Sequence, residues 1–388
     1  MDFVPLHLRA VPVISAKELL ERSDALVVDL RSPDEFAADH WPGACNMPLL
    51  SNEGRALVGL LYKQHSPEEA FREGRELVLD RVQSLVDELA ELASWQAPEV
   101  DLAERVRELT AGGFKAMEAE LSVVAAPIPE QPVVLHCWRG GLRSRSVIAL
   151  LRGLGLSRAV GLEGGYRSYR EGVMEQLADC SLPDAYVLRG LTGVGKTLVL
   201  RAIESIRPTW TVDLEGCAGH RSSLLGMVGL DPVSQKSFDS ALAERLREGF
   251  SGPVIFEGES RKVGDVVVPA SMWTSMQGAV NLELATSEER RIQVLLEDYL
   301  AREEARPLLR IQLERVEQRM DGRFELARLL DEHREGELVG LLLEHYYDPL
   351  YRRSERGKHY AARFDSSVPD DCARSVVDWI EARSATTR

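Results

Sequence analysis

The chain has 388 residues, 44% of them hydrophobic and 28% charged, with a formal net charge of -15. That length exceeds what one hydrophobic core usually organises and predicts two domains, while the composition excludes a disordered or fibrous chain. The acidic balance excludes a protein that grips nucleic acid with its whole surface, because phosphate contacts need Lys and Arg to displace counterions; an RNA site has to be a local basic patch.

No stretch approaches the roughly 18 apolar residues of a membrane span. The opening segment MDFVPLHLRAVPVISAKELL lacks the basic start and apolar run of a signal peptide, so a cytoplasmic protein without a membrane partner is expected. The five cysteines, Cys45, Cys137, Cys180, Cys217 and Cys372, are scattered without any CxxC. This argues against a disulfide framework or zinc ribbon and leaves room for a working thiol.

In chain order, ALVVDL (25–30) is a short apolar run followed by the turn-and-helix composition RSPDEFAADH, which predicts a buried strand feeding a helix. Segments 66–94 and 101–122 carry Leu, Val and Ala at helical spacing among Glu and Arg, and read as amphipathic helices inserted at about 51–125. QPVVLHC (131–137) then repeats the strand grammar, followed by the loop WRGG and the helical LRSRSVIALLRGLG. Two strand-loop-helix units imply a parallel sheet with helices on both faces, the first domain, over 1–180. Leu182-Pro183-Asp184 marks a boundary, and the second domain, 184–388, opens on the strand AYVLRG. Further strands are expected at 211–214, 253–257 and 279–284, with a helix at 234–248 and an almost wholly helical region over 287–388. The fold class is α/β throughout.

Gly190-Leu191-Thr192-Gly193-Val194-Gly195-Lys196-Thr197 fits GxxxxGK[ST] directly after a strand and at the start of a helix. Gly190, Gly193 and Gly195 let backbone N–H groups close around phosphate oxygens, Lys196 supplies charge and Thr197 a hydroxyl for Mg²⁺. A glycine turn that only caps a helix is the bland alternative. A nucleotide-hydrolysing P-loop enzyme usually places an Asp at the end of a later strand; here PVIFEGESR offers Glu257, then Glu259 and Arg261, candidates to orient a diphosphate or a metal.

HCWRGGLRS (136–144) places Cys137 at the end of a strand in a loop with Arg139, two glycines and Arg143. Backbone N–H groups, a helix N-terminus and two guanidiniums favour thiolate, the nucleophilic form. The spacing Cys137-x5-Arg143 also fits a cysteine-dependent phosphatase fused to a nucleotide-binding module, with Asp29 or Asp39 as the general acid it would need. A kinase or GTP switch with an inert thiol domain is a third reading.

DLRSPDEFAADHWPGACNMPL (29–49), the Cys137 loop and EGGYRSYR (163–170) together resemble a rhodanese domain. With NEGRALVGLLYK (52–63), HCWRGGLRSRS, GLTGVGKT, DLEGCAGHRSSLLG (213–226), EGESR (257–261) and YYDPLY (346–351), the chain resembles the tRNA 2-selenouridine synthases from about residue 25 to 351. The pattern departs from that family at Ser222, where Gly is expected, and at Gly258, where an acidic residue is expected.

The resemblance implies a rhodanese-like domain joined to a P-loop NTPase-like domain with a helical tail. It implies replacement of the sulfur of wobble 2-thiouridine in tRNA by selenium from selenophosphate, through an S-geranylated intermediate made with geranyl diphosphate. Cys137, Arg139 and Arg143 would serve selenium transfer, and the P-loop would hold diphosphate as a leaving group. No tightly bound cofactor is expected; if Mg²⁺ takes part, Thr197 and Glu257 would hold it. The tRNA candidates are Arg143, Arg145, Arg167 and Arg170, then His220 and Arg221, and Arg352, Arg353, Arg356 and Lys358 in YRRSERGKHY (351–360), where basic residues mix with tyrosines. A solvated helix face would explain that last stretch nearly as well.

Overall fold

The computed structural model describes residues 10–300 and 303–387; residues 1–9, which carry part of the reading of the opening segment, lie outside them. Among the described residues no helix is long and apolar enough to cross a membrane. The chain divides into two compact units, Met1–Glu175 and Gln176–Arg388, so the division falls inside the helix Tyr166–Ala178.

The first unit is built on strands β1 (Val11–Ile14), β2 (Leu26–Asp29), β3 (Cys45–Asn46), β4 (Val123–Val124), β5 (Val133–His136) and β6 (Ala159–Leu162). They form one sheet in the order β3-β2-β5-β6-β1-β4, and every pairing is parallel. Such a sheet must be covered on both faces, which is why β5 and β6 read as unbroken buried runs rather than alternating ones. Val28, Val133 and Leu135 pack in one core with Val82, Leu85 and Leu89 of the helix Pro67–Leu92, Leu102 and Val106 of the helix Leu102–Thr110, and Ile148 and Leu151 of the helix Leu142–Gly153. Val27, Val134 and Val160, on the opposite face, are buried as well. The inserted helices therefore contribute to the core, and truncating fully buried Leu89 to Ala should cost about 2–5 kcal/mol. The segment expected as one helix over 101–122 is two, Leu102–Thr110 and Gly113–Glu120, parted where Gly113 takes φ +76°.

The second unit contains β7 (Ala185–Arg189), β8 (Thr211–Val212), β9 (Val254–Glu257), a small antiparallel pair β10 (Lys262–Val263) and β11 (Val266–Val267), β12 (Val280–Ala285) and β13 (Tyr360–Asp365). The main sheet runs β13-β12-β7-β9-β8, again parallel throughout. β13 corrects the almost wholly helical region expected over 287–388. YAARFD carries two alanines and weak alternation, so its strand state comes from pairing with β12, where Leu282 faces Ala362 and Leu284 faces Phe364.

Two apolar cores support this unit. One joins the sheet to the helix Lys196–Ile206 and the C-terminal helix through Val199, Leu200, Ile203, Val376, Val377 and Ile380. The other binds the late helices together through Leu295, Leu309, Leu313, Leu330, Leu342 and Tyr347.

Candidate functional site

Cys137 follows the last residue of β5, and the helix Leu142–Gly153 begins five residues later. The loop between is braced by EGGYRSYR: Tyr166 and Arg167 donate their backbone N–H groups to the carbonyls of Cys137 (3.0 Å) and Trp138 (2.9 Å). Gly140 and Gly165 take φ +63° and +66°, and a Cβ on Gly165 would collide with Gly140 N and Cys137 O, so only glycine fits.

The thiol is 2% exposed, and its Sγ lies 3.3 Å from Ser144 Oγ. Burial pushes its pKa up. Arg143, the Ser144 hydroxyl and the backbone N–H groups of Arg139 and Ser144 outweigh that effect and hold the thiol below its ordinary value. Arg143 also reaches within 3.9 Å of Glu35, and Arg139 is exposed.

Beneath this loop lies a buried charged network absent from the sequence reading. Arg31 donates through Nε to both carboxylate oxygens of Asp29 (3.0 Å each) and through Nη2 to Asp39 O (2.8 Å), and lies 3.6 Å from the Tyr166 ring centroid. Tyr166 donates to Asp39 at 2.5 Å, and Arg170 lies 3.5 Å from the same carboxylate. Asp29 and Asp39 are thus buried and committed, which removes the two carboxyls that the phosphatase reading offered as general acid. His136 is fully buried, and burial, aided by Arg31, pulls its pKa down, so it stays neutral.

In the second unit the phosphate loop leaves the end of β7, whose neighbours are β9 and β12. Gly190, Gly193 and Gly195 have φ of +148°, +81° and +81°. A Cβ on Gly190 would strike Leu284 O, and one on Gly193 would lie 2.8 Å from Arg291 O. Lys196 Nζ sits 5.2 Å from the Tyr351 ring centroid. Burial opposes its charge, but Tyr351, Glu259, Glu215 and Glu257 together hold its pKa above the ordinary value.

Thr197 Oγ1 lies 3.1 Å from Glu215 Oε2 and 2.9 Å from Glu257 Oε2, and Glu257 Oε1 accepts from the backbone N–H of Glu215 at 2.7 Å. Burial first, then the neighbouring carboxylate of Glu259, raises the Glu215 pKa to about 7; Glu257 is pushed well up by burial and by Glu215. Glu259 is buried, and its Oε1 has no hydrogen-bond partner. Arg261 is exposed.

The two family departures have local settings. A side chain at Gly258 would meet Leu188 O at 2.8 Å and Arg189 Cγ at 2.9 Å, so the backbone here leaves no room for an acidic residue. Ser222 donates its N–H to Glu215 Oε1 at 3.1 Å, while its buried hydroxyl has no partner.

The loop opens into a cavity of about 180 Å³. Gly193, Gly195, Lys196 and Thr197 form one part of its lining, with Arg201, Glu215 and Arg221; Leu230, Val294, Leu295, Tyr299, Tyr347 and Tyr351 give the rest an apolar and aromatic character. Sequence reasoning gave no role to Glu215, Arg291 or Asp348, and placed Tyr351 only in the basic stretch offered for tRNA, not at the phosphate loop. Arg291 donates Nε–H to Thr192 O at 2.8 Å and both terminal nitrogens to Asp348, which ties the segment carrying Tyr351 to the phosphate loop.

The basic candidates separate by setting. Arg145 donates to the carbonyls of Gly140 (2.8 Å) and Leu121 (3.3 Å), Arg221 to those of Val228 (3.0 Å) and Asp298 (3.1 Å), and Arg170 pairs with Asp39. These three brace local structure. Arg167 is exposed and pairs with Glu171 at 2.8 Å. Arg352, Arg353 and Arg356 are exposed, Lys358 lies 3.6 Å from Glu355, and His220 packs on Gly264.

A braced thiolate loop on one parallel sheet and a phosphate loop on another define the class: a rhodanese-like domain joined to a P-loop domain. Residues 183–325 match the family model described as the tRNA 2-selenouridine synthase AAA domain. The tRNA 2-selenouridine synthase of Chromohalobacter salexigens is 29% identical, over 94% of this chain and 96% of its own. Those of Pseudomonas syringae pv. syringae and Marinobacter nauticus are each 30% identical, over 88% and 94% of this chain and 91% and 96% of theirs. The chain belongs to the tRNA 2-selenouridine synthase family.

Proposed function

We propose that this protein replaces the sulfur of 2-thiouridine at the tRNA wobble position by selenium, in two steps assigned to its two loops. A thiocarbonyl sulfur leaves poorly. Alkylating it with geranyl diphosphate in the P-loop cavity gives an electrophilic C2 and a thiol that departs readily, and selenium from selenophosphate then takes its place. The observation that carries this reading is the cavity itself, where a phosphate cradle shares its space with an aromatic and aliphatic lining. The apolar tail of an isoprenoid diphosphate would fill such a lining while its diphosphate sits in the cradle.

In the first step Lys196 and the N–H groups of the loop stabilise the charge that accumulates on the departing diphosphate. In the second, Arg139, Arg143 and the backbone N–H groups around Cys137 bind the tetrahedral oxygens of selenophosphate. The Cys137 thiolate, favoured by Arg143 and Ser144, carries selenium or directs it to C2. Among the described residues no three acidic, histidine or cysteine side chains cluster as a metal site; a Mg²⁺ bound with the diphosphate would take Thr197 and Glu257, whose Oγ1 and Oε2 lie 2.9 Å apart, as its protein ligands. It would supply further charge neutralisation for the diphosphate. The exposed Arg167, Arg352, Arg353 and Arg356 are the side chains assigned to tRNA phosphates.

The test is mass spectrometry of nucleosides from 2-thiouridine tRNA incubated with both co-substrates. Selenouridine from wild type, geranylated thiouridine accumulating in Cys137→Ser and neither product in Lys196→Ala are expected. Unchanged thiouridine throughout, with both reagents verified, would sink the proposal.

A further inference from the structure

We propose that Tyr351 is a catalytic residue of the alkylation step, its ring face stabilising the positive charge that develops on the allylic carbon as diphosphate departs; this rests on the geranyl-transfer reading above. Transfer from an allylic diphosphate breaks the C1–O bond, and its electron pair stays on the diphosphate. Positive charge spreads over C1 and C3 until a sulfur lone pair forms the C1–S bond. The N3 proton of the alkylated base leaves to the released diphosphate. Charge of both signs therefore appears within a few ångströms, and the site must meet both.

Lys196 meets the negative end. What faces it is the Tyr351 ring, with the ammonium 5.2 Å from its centroid, inside the roughly 6 Å range over which an aromatic face attracts a cation. With diphosphate in the cradle Lys196 turns its charge to the phosphate oxygens, and the face is left to the carbon bonded to them. Tyr351 lines the same cavity as Gly195, Lys196 and Thr197. Lys196 pulls its phenol down, but burial and the carboxylates of Glu259 and Glu215 outweigh that and push it up to about 12, so the side chain stays neutral and its quadrupole is available.

Two further tyrosines line the cavity, but the geometry separates them from this role. The Tyr299 ring carries the Arg221 guanidinium 5.5 Å from its centroid, and the Tyr299 and Tyr347 hydroxyls lie 3.3 Å apart, each 3.4 Å from Ser223. Tyr351 is the ring that faces the cradle's cation. It is also fixed relative to the loop: Asp348, one turn earlier, pairs with Arg291, which bonds to Thr192 O at 2.8 Å. That placement suits a group that must meet a developing charge without reorganising.

The experiment compares wild type, Tyr351→Phe and Tyr351→Leu in geranylation of 2-thiouridine tRNA, with inorganic pyrophosphate affinity measured alongside. Leu should lower kcat about thirtyfold, the factor corresponding to ~2 kcal/mol of cation–π stabilisation at about 1.4 kcal/mol per tenfold. KM and pyrophosphate affinity should stay within about threefold, and Phe should restore most of the lost turnover. Should the Leu variant fail to bind pyrophosphate, phenylalanines of increasing ring fluorination at 351 take its place, and kcat should fall stepwise with fluorination. Undiminished turnover in Leu, equal losses in Phe and Leu, or indifference to fluorination would overturn this inference alone. Absence of geranylated product from wild type would overturn the reading it rests on as well.

Discussion

Removing Asp348 while leaving Arg291 should do more damage than removing both. The pair is largely buried, with side chains 12% and 8% exposed, and the guanidinium uses both terminal nitrogens on the carboxylate while Nε holds Thr192 O. Asp348→Ala strands a buried cation beside the phosphate loop, at a cost of about 3–5 kcal/mol. The double variant Asp348→Leu with Arg291→Met removes the stranded charge and replaces it with apolar volume, and should recover at least about 2 kcal/mol of that loss. In a unit of this size, about 2–4 °C of melting temperature accompanies each kcal/mol. Differential scanning calorimetry of the full chain should therefore show the transition of the second unit drop by roughly 6–20 °C in the single variant and recover in part in the double. Pyrophosphate affinity should remain weakened in both, because the bond to Thr192 O is lost or misplaced in each. A double variant no more stable than the single one would show that the buried charge is not what the pair manages, and would refute the reasoning.

Three other expectations follow from the site. Gly258→Asp, which restores the acidic residue the family pattern expects, should cost about 1–3 kcal/mol by overpacking, because its Cβ would meet Leu188 O at 2.8 Å; denaturant melts would read it, and a neutral outcome would contradict the packing. Glu215 titrates near 7 in the folded chain against an ordinary 4.5. Its folded form binds the extra proton, so the stability tied to it is whole below about 4.5 and lost as pH rises through 7; Glu215→Gln should flatten the pH dependence of stability and of pyrophosphate affinity across that window in metal-free buffer. Ser144→Ala removes a hydrogen bond that favours the Cys137 thiolate, so the pH profile of iodoacetamide alkylation should move to higher pH, and an unmoved profile would assign the effect to Arg143 and the backbone alone.

The strands ending at His136 and Arg189 were legible because a parallel sheet buries both faces and demands apolar runs, and each run was followed by a glycine loop whose chemistry depends on spacing alone. β13 was not legible, since Tyr360–Asp365 acquires its state from the partner β12 rather than from its own pattern. The same limit governed the site. Lys196 and Cys137 announce themselves within a few residues of sequence, whereas Glu215, Arg291, Asp348 and Tyr351 matter only because folding brings them to a loop 18 to 155 positions away, Lys196 to Tyr351 being the longest of these spans from Thr197 or Lys196. Charge and neighbourhood make Arg145, Arg170 and Arg221 RNA candidates in the sequence; their hydrogen bonds to backbone carbonyls or to Asp39 are tertiary and leave no trace in composition.

The central claim is that the P-loop cavity takes an allylic diphosphate. The most direct measurement is calorimetric titration of the full chain with geranyl diphosphate, inorganic pyrophosphate and ATP in turn, on wild type and Lys196→Ala. The account predicts that geranyl diphosphate binds more tightly than pyrophosphate, by the apolar surface it buries, that it displaces pyrophosphate, and that Lys196→Ala weakens both. Tight ATP binding that geranyl diphosphate cannot displace would contradict it.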